Sequence, residues 1–245
     1  MIIEVLFPDV ANLHGDSGNI EYLSRCRPDA QIIRTSLVDV PAFVDSTPNL
    51  IYLGAMTEGG QRKAMERLRP YTSRIAELID AGVVFLFTHN AMEILGHRLR
   101  NDNQGYDVTG LDLLPISTRI DLFGRYNGKV MGQVGDSTVL GYKSQFSMVY
   151  ADDVPPFLTA TRGIGRNPGT ALEGVRKVNF IGTSLLGPLL VTNPPFTRQL
   201  LTLIDPVTPP ALAFEQLAMD AYQARLSDFN DPRRWHPWEK PKAPR

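Results

Sequence analysis

One cysteine, Cys26, is all the thiol that this 245-residue chain possesses. No internal disulfide can form, and no cysteine-based metal site is possible. Charge of one sign is equally scarce: the formal net charge is -1, which leaves no electrostatic footprint for nucleic acid or an anionic membrane surface. No apolar run approaches the roughly 18–20 residues that a membrane span needs. The first residues lack the charged n-region, apolar h-region and small-residue cleavage site of a signal peptide, so the expected location is the cytoplasm. Neither an internal repeat nor a domain-scale linker is visible.

What the chain does have is an ordinary globular composition, with 43% hydrophobic and 21% charged residues, and enough length to bury a large core. Apolar runs at 2–7, 31–35, 49–53 and 83–87 read as strands. Helix-like stretches at 18–27, 61–68, 71–80 and 91–95 fall between or after them, with Pro70 breaking the middle pair. Strands alternating with helices predict an α/β fold, a Rossmann-like or flavodoxin-like, mostly parallel sheet flanked by helices. Val83-Val84-Phe85-Leu86-Phe87 is apolar on both faces, as a central parallel strand must be.

From about Tyr106 the texture changes. Short β-rich runs at 118–122, 129–134 and 138–140, punctuated by Gly124, Gly128, Gly132, Gly135 and Gly141, predict hairpins or an antiparallel β-rich extension in the second half. Helices are expected at 196–203 and 211–226, the latter with Leu212, Phe214, Leu217, Ala221 and Leu226 at roughly helical spacing. Residues 1–230 read as one domain. Residues 231–245 read as a Pro-rich tail whose Trp235 and Trp238 imply that part of it docks.

The segment that points to chemistry is the strand 83–87 followed by Thr88-His89-Asn90 and a helix-like stretch. A residue at a strand-to-helix turn is exposed at the carboxyl edge of the sheet, where α/β folds place nucleophiles. His89 holds this place. Taken alone, it is equally a turn residue beside a capping Asn90. Asn12–Ile20 and Leu53–Gly60 are loops rich in glycine and short polar residues that join a strand to a helix. Either could aim backbone amides at an anion or be a plain turn.

In order along the chain, these segments resemble the cobyric acid synthase-type, class I glutamine amidotransferases, and within them the glutaminase subunits of lipid II isoglutaminyl synthase. The resemblance covers roughly residues 1–205. Leu13-His14-Gly15-Asp16-Ser17-Gly18-Asn19 resembles that family's Tyr-Gly-Asp-Arg-Gly-Asn loop, with His14 and Ser17 as departures. Gly54-Ala55-Met56 lies at its glycine-rich loop. His89-Asn90-Ala91-Met92-Glu93-Ile94-Leu95-Gly96 lies at its Cys-Gly-Gly-Tyr-Gln-Leu-Leu-Gly elbow. Gly141-Tyr142-Lys143-Ser144-Gln145 resembles Gly-Phe-Glu-Asn-His, and Gly165-Arg166-Asn167 with Glu173-Gly174 resembles Gly-Asn-Asn with Glu-Gly. Residues 182–190 resemble Gly-Thr-Tyr-Leu-His-Gly-Pro-Leu-Leu.

The resemblance implies a cysteine nucleophile at position 89 and a histidine acid–base at 186, and the chain has His89 and Leu186 there. Leucine cannot transfer a proton, and Cys26 falls on the first helix, away from the elbow. Conventional glutaminase activity is therefore expected to be absent. The resemblance further implies that Gly54, Ala55 and Glu93 adjoin the substrate, and that Arg125 holds a substrate carboxylate, with Arg119 as the other candidate. Three readings stay open. One is a silent, scaffold-like subunit that positions a Mur-ligase-like or other ATP-dependent amidating partner, possible ligands being glutamine or another carboxylate. Another is altered chemistry by Thr88, His89 and Glu93, including a partial metal site if Asp16 or another carboxylate approached. The third is ordinary glutamine hydrolysis. A cell-wall role and a cobalamin-type role are both compatible with the resemblance, and no cofactor or metal is expected.

Overall fold

A computed structural model describes residues 1–235; Trp238 and its neighbours lie outside the described residues. The first half runs β1 (Ile2–Leu6), α1 (Ser17–Cys26), β2 (Gln31–Thr35), β3 (Leu50–Leu53), α2 (Glu58–Leu68), α3 (Thr72–Asp80) and β4 (Val84–Thr88). The second half continues with β5 (Arg98–Asn101), β6 (Tyr106–Thr109), β7 (Ile116–Ile120), β8 (Tyr126–Val134), β9 (Ser137–Gln145), β10 (Ser147–Ala151) and β11 (Leu158–Arg162). It ends with β12 (Leu172–Glu173), β13 (Val175–Lys177), β14 (Phe180–Thr183), α4 (Pro194–Ile204) and α5 (Glu215–Asn230).

The main sheet has the order β13-β14-β4-β3-β1-β2. Its pairings are parallel except at the edge, where β13 runs antiparallel to β14. The alternation of each central strand explains the double burial. Ile51, Leu53, Phe85 and Phe87 join Ala64, Met65, Leu68, Ile75 and Leu78 of α2 and α3 in one core. Leu50, Tyr52, Val84 and Leu86 join Ile20 and Leu23 of α1 and Phe196, Leu200 and Leu201 of α4 in the other. All residues of β3 and β4 are buried, because both faces of a parallel sheet carry helices. No helix among the described residues is long and apolar enough to cross a membrane.

The β-rich half forms two four-stranded sheets, β10-β7-β5-β6 and β12-β11-β8-β9. They are antiparallel apart from the β5–β7 pair. The long β8–β9 hairpin turns at Gly135, whose φ of 54° suits a residue without Cβ.

Two expectations need correction. The stretch after the elbow is not an α-helix but a 3-10 segment, His89–Leu95. The carbonyls of Ile94, Leu95 and Gly96 are taken by the amides of Leu111, Leu113, Leu114 and Asp112, so no further helical turn can form and the chain leaves into β5. The last helix begins at Glu215, not 211, because Phe214 is left-handed (φ 50°). Its buried face is Ala218, Tyr222 and Phe229, while Leu217 is 71% exposed. The tail does dock as far as Trp235: its ring lies 4.9 Å from the buried Arg162 guanidinium, and its Nε1 donates to Phe229 O at 2.9 Å.

Behind the β-rich half lies a fully buried ion pair. Lys143 Nζ is 3.3 Å from Glu173 Oε1 and donates to Gly165 O at 2.7 Å. Glu173 also accepts from Thr183 Oγ1 and the Ser184 amide. Removing one partner of such a pair strands the other charge. Lys143→Met is expected to cost about 3–5 kcal/mol in urea denaturation, with Lys143→Met/Glu173→Gln recovering part of the loss.

Candidate functional site

The site is assembled from the carboxyl ends of β1, β3, β4 and β14, where an open parallel sheet presents its loops. Its anchor is Asp16, fully buried between them. Asp16 Oδ2 accepts from the Ala55 amide at 2.6 Å and makes a short bond with Thr88 Oγ1; Oδ1 accepts from Asn19 Nδ2 at 3.0 Å. Tyr52 OH donates to the Asp16 backbone carbonyl at 3.2 Å. Burial pushes the Asp16 carboxyl up, and the bonds from Thr88, Ala55 and Tyr52 pull against it. Gly54 is required by close approach: a Cβ there would lie 2.5 Å from Ala11 O and 2.9 Å from Asp16 Oδ2.

His89 sits at the elbow with φ 53°, a left-handed backbone seldom adopted by a side-chain-bearing residue. It is half-buried. Its Nε2 lies 3.1 Å from Ser144 O, which makes Nε2 a protonated nitrogen. Burial lowers its pKa, partly offset by the bonds to Ser144 and Asn90. The His14 ring lies 5.5 Å away between centroids. Beside His89, the Asn90 side chain is fastened to Met56 in both directions, accepting from Met56 N at 3.1 Å and donating to Met56 O at 2.8 Å.

Below the elbow is a recess lined by Glu58, Gln61, His89, Asn90, Glu93, Ile120, Phe146 and Ser147, with a volume of about 20 Å³. Glu93 is buried on its wall. It accepts from Ser147 Oγ at 2.5 Å and from Gln61 Nε2 at 2.9 Å. Burial raises its pKa to about 7, against the pull of those two bonds. Arg125, exposed, lies with its guanidinium 4.8 Å over the Phe146 ring at the rim. Arg119 pairs instead with Asp102 at 3.0 Å on the exposed face of β7.

The residues singled out in the sequence therefore divide. His89, Glu93 and, through Phe146, Arg125 share one recess. Thr88 does not join them, because its hydroxyl is committed to Asp16. Asp16 does not supply a third ligand beside His89, because its oxygens are occupied by Ala55, Thr88 and Asn19; among the described residues no cluster of three His, Cys, Asp or Glu could hold a metal. Leu186 lines a cleft with Tyr142, Pro188, Arg225 and His14, the residue whose ring adjoins His89. Cys26 lies buried on α1, where its Sγ accepts from the Ala213 amide at 3.3 Å and burial pushes the thiol up, away from reactivity. Sequence reasoning missed Gln61, Asn90 as a clamp, and Ser147. Gln61 left a trace: it stands on the apolar stripe of α2 with Ala64, Met65 and Leu68, a polar residue at a core position.

Comparison with known proteins agrees with this architecture. No protein-family model matches the chain. Among solved structures, one glutamine amidotransferase superposes with a TM-score of 0.53 at 15% identity, covering 83% of this chain and 99% of that one. A glutamine amidotransferase from Thermotoga maritima gives 0.52 at 11% identity, covering 91% and 92%. The fold is thus that of the class I glutamine amidotransferases. In sequence the chain is related to the GatD subunit of lipid II isoglutaminyl synthase (glutamine-hydrolyzing) from Staphylococcus aureus strain N315. The two are 26% identical over 197 residues, 79% of each chain.

Two consequences are measurable. Asp16→Ala leaves the Ala55 amide, the Asn19 amide and the Thr88 hydroxyl without their acceptor and is expected to cost at least about 3 kcal/mol, with Asp16→Asn costing less. Glu93 titrates from 4.5 unfolded to about 7 folded. A raised carboxyl contributes stability that is whole below the unfolded value and lost as pH rises through the folded one. Urea denaturation between pH 5 and 8 should show wild type losing stability relative to Glu93→Gln; parallel curves would refute the shift.

Proposed function

We propose that this chain is an amidotransferase-like subunit without conventional glutaminase activity, which binds and positions an ATP-dependent amidating partner of the Mur-ligase type. The observation that carries the reading is the elbow: an imidazole, tied through Nε2 to Ser144 O, stands where the resemblance expects a thiolate. Its Nε2 proton is directed at a backbone carbonyl, which cannot take it as the base that activates a nucleophile. Leu186, at the position of the acid–base histidine, carries no proton to give.

Two further features support it. The amides of Ala55 and Met56, in the loop expected to hold an oxyanion, donate instead to Asp16 and Asn90. A donor turned inward cannot meet charge developing on a substrate. The relative's name ties that protein to lipid II, which favours a cell-wall substrate for the partner over a cobalamin-type one. Arg125 at the rim is the residue that would meet a carboxylate of the ligand or partner.

A second reading has one observation behind it. His89 and Glu93, with a carboxyl titrating near 7, line the same recess, an arrangement that suits acid–base chemistry. A His89→Ala variant that leaves every activity of the complex unchanged would remove it.

The tests are direct. Glutamate release from glutamine is expected to stay at the blank level with and without a Mur-ligase-like partner, while the two chains co-purify. Turnover that survives Cys26→Ser would overturn the proposal, as would a chain that stays monomeric beside that partner.

A further inference from the structure

Arg225 is a half-buried cation without a counter-ion. It stands on α5 and lines the cleft that also takes in His14, Tyr142, Leu186, Pro188 and Thr192. Its Nη1 donates to Thr192 O at 3.0 Å, and its guanidinium lies 5.7 Å over the Phe229 ring. Among the described residues its Nε and Nη2 have no acceptor, and neither atom is sealed from solvent. Asp228, the one acid within a helical turn of it, is taken by Lys129 and Arg234. No acidic residue among the described ones lines the cleft. Asp16 lies behind its Gly187 wall, with both oxygens occupied by Ala55, Thr88 and Asn19. Burial therefore pulls the Arg225 pKa down with nothing to offset it, whereas Glu173 pulls the other way at Arg166.

The rest of the cleft defines what complements that charge. Its volume of about 330 Å³ is that of a small-ligand site. The walls are fastened to one another. Leu186 N donates to Tyr142 O at 2.9 Å, which joins the loop after β14 to β9, and the bond from Arg225 to Thr192 joins that loop to α5. Leu186 and Pro188 offer apolar surface, and Tyr142, 45% exposed, offers an aromatic one. The free Nε and Nη2 edge of a guanidinium matches the two oxygens of a carboxylate. One unpaired cation balances one negative charge, which favours a carboxylate over a phosphate dianion. With no acid on the walls, an ammonium group beside the carboxylate would go unpaired, which disfavours an α-amino acid such as glutamine.

We propose that this cleft binds a small monocarboxylate with an apolar body, the carboxylate on the Arg225 fork and the body against Tyr142, Leu186 and Pro188. His14, whose ring adjoins His89, sets the ligand next to the elbow. The site is distinct from the rim arginine, Arg125, and needs neither glutamine turnover nor a partner. Glutamate release in the earlier assay would defeat the proposed function and leave this cleft standing; a failure of the titration below does the reverse.

The experiment is isothermal titration of the full chain at neutral pH with phenylacetate, beside phenylacetamide, acetate, inorganic phosphate and glutamine. Saturable binding of phenylacetate is expected. Replacing it by the amide, or Arg225 by methionine in Arg225→Met, should weaken binding by about tenfold or more, the loss of the charge-assisted pair. Arg225→Lys should recover only part, because an ammonium keeps the charge and not the fork. If Arg225→Met does not fold, Leu186→Asp, which sets a like charge on the wall, should abolish binding. No saturable binding, or binding that the amide matches or that these variants leave intact, would overturn the site. Equal affinity for phosphate would overturn the single-charge class, for acetate the apolar body, and for glutamine the exclusion of an ammonium group. Binding lost in Arg125→Ala and kept in Arg225→Met would overturn the assignment and move the carboxylate to the elbow rim.

Discussion

The buried carboxylate of Asp16 is the constraint on which the candidate site depends. It gathers the Ala55 amide from the loop after β3, the Thr88 hydroxyl from the end of β4 and the Asn19 side chain from α1. Three connections far apart in the chain are thereby fixed to one point. Space around it is tight enough that Gly54 and Gly187 cannot carry a side chain without striking Asp16. A carboxylate left in such a place without donors would be untenable; with them it specifies a single arrangement of the sheet edge.

The consequences run outward to the elbow. With Thr88 turned to Asp16, the next residue must reverse the chain, and His89 does so in a left-handed conformation. Asn90 then clamps Met56, and Gln61 reaches across from α2 to Asn90 O and Glu93. The amides and side chains that a nucleophilic elbow would turn outward are here spent on one another. Beside the elbow lie a small recess, an arginine over an aromatic ring at its mouth, and a carboxyl whose pKa burial raises to about 7. The proposal of a subunit that holds and presents rests on these features.

Much of the fold was legible in the sequence. Strands β1 to β4 and their helices announced themselves because a parallel strand buried on both faces needs an unbroken apolar run, and Val83 to Phe87 has one. The last helix was misplaced by four residues because its apolar residues do not all match its buried face: Phe214 and Leu217 are exposed while Tyr222 and Phe229 pack with Met131 and Leu140. The post-elbow helix failed for a non-local reason, since its carbonyls are claimed by amides from residues 111–114. Single-segment periodicity cannot register a competitor that arrives from later in the chain.

By itself, then, the sequence determined the α/β class, the ordered loops of a class I amidotransferase fold, and the presence of His89 and Leu186 where that resemblance expects cysteine and histidine. These follow from local pattern and residue identity. Only the tertiary structure decided which polar groups meet. It sent Thr88 to Asp16 rather than to His89, clamped Asn90 to Met56, and brought Gln61 and Ser147 to Glu93. Hydrogen-bond partners contributed by α2, β9 and β10 are dozens of residues from the elbow in sequence, and their assignment is a property of packing alone.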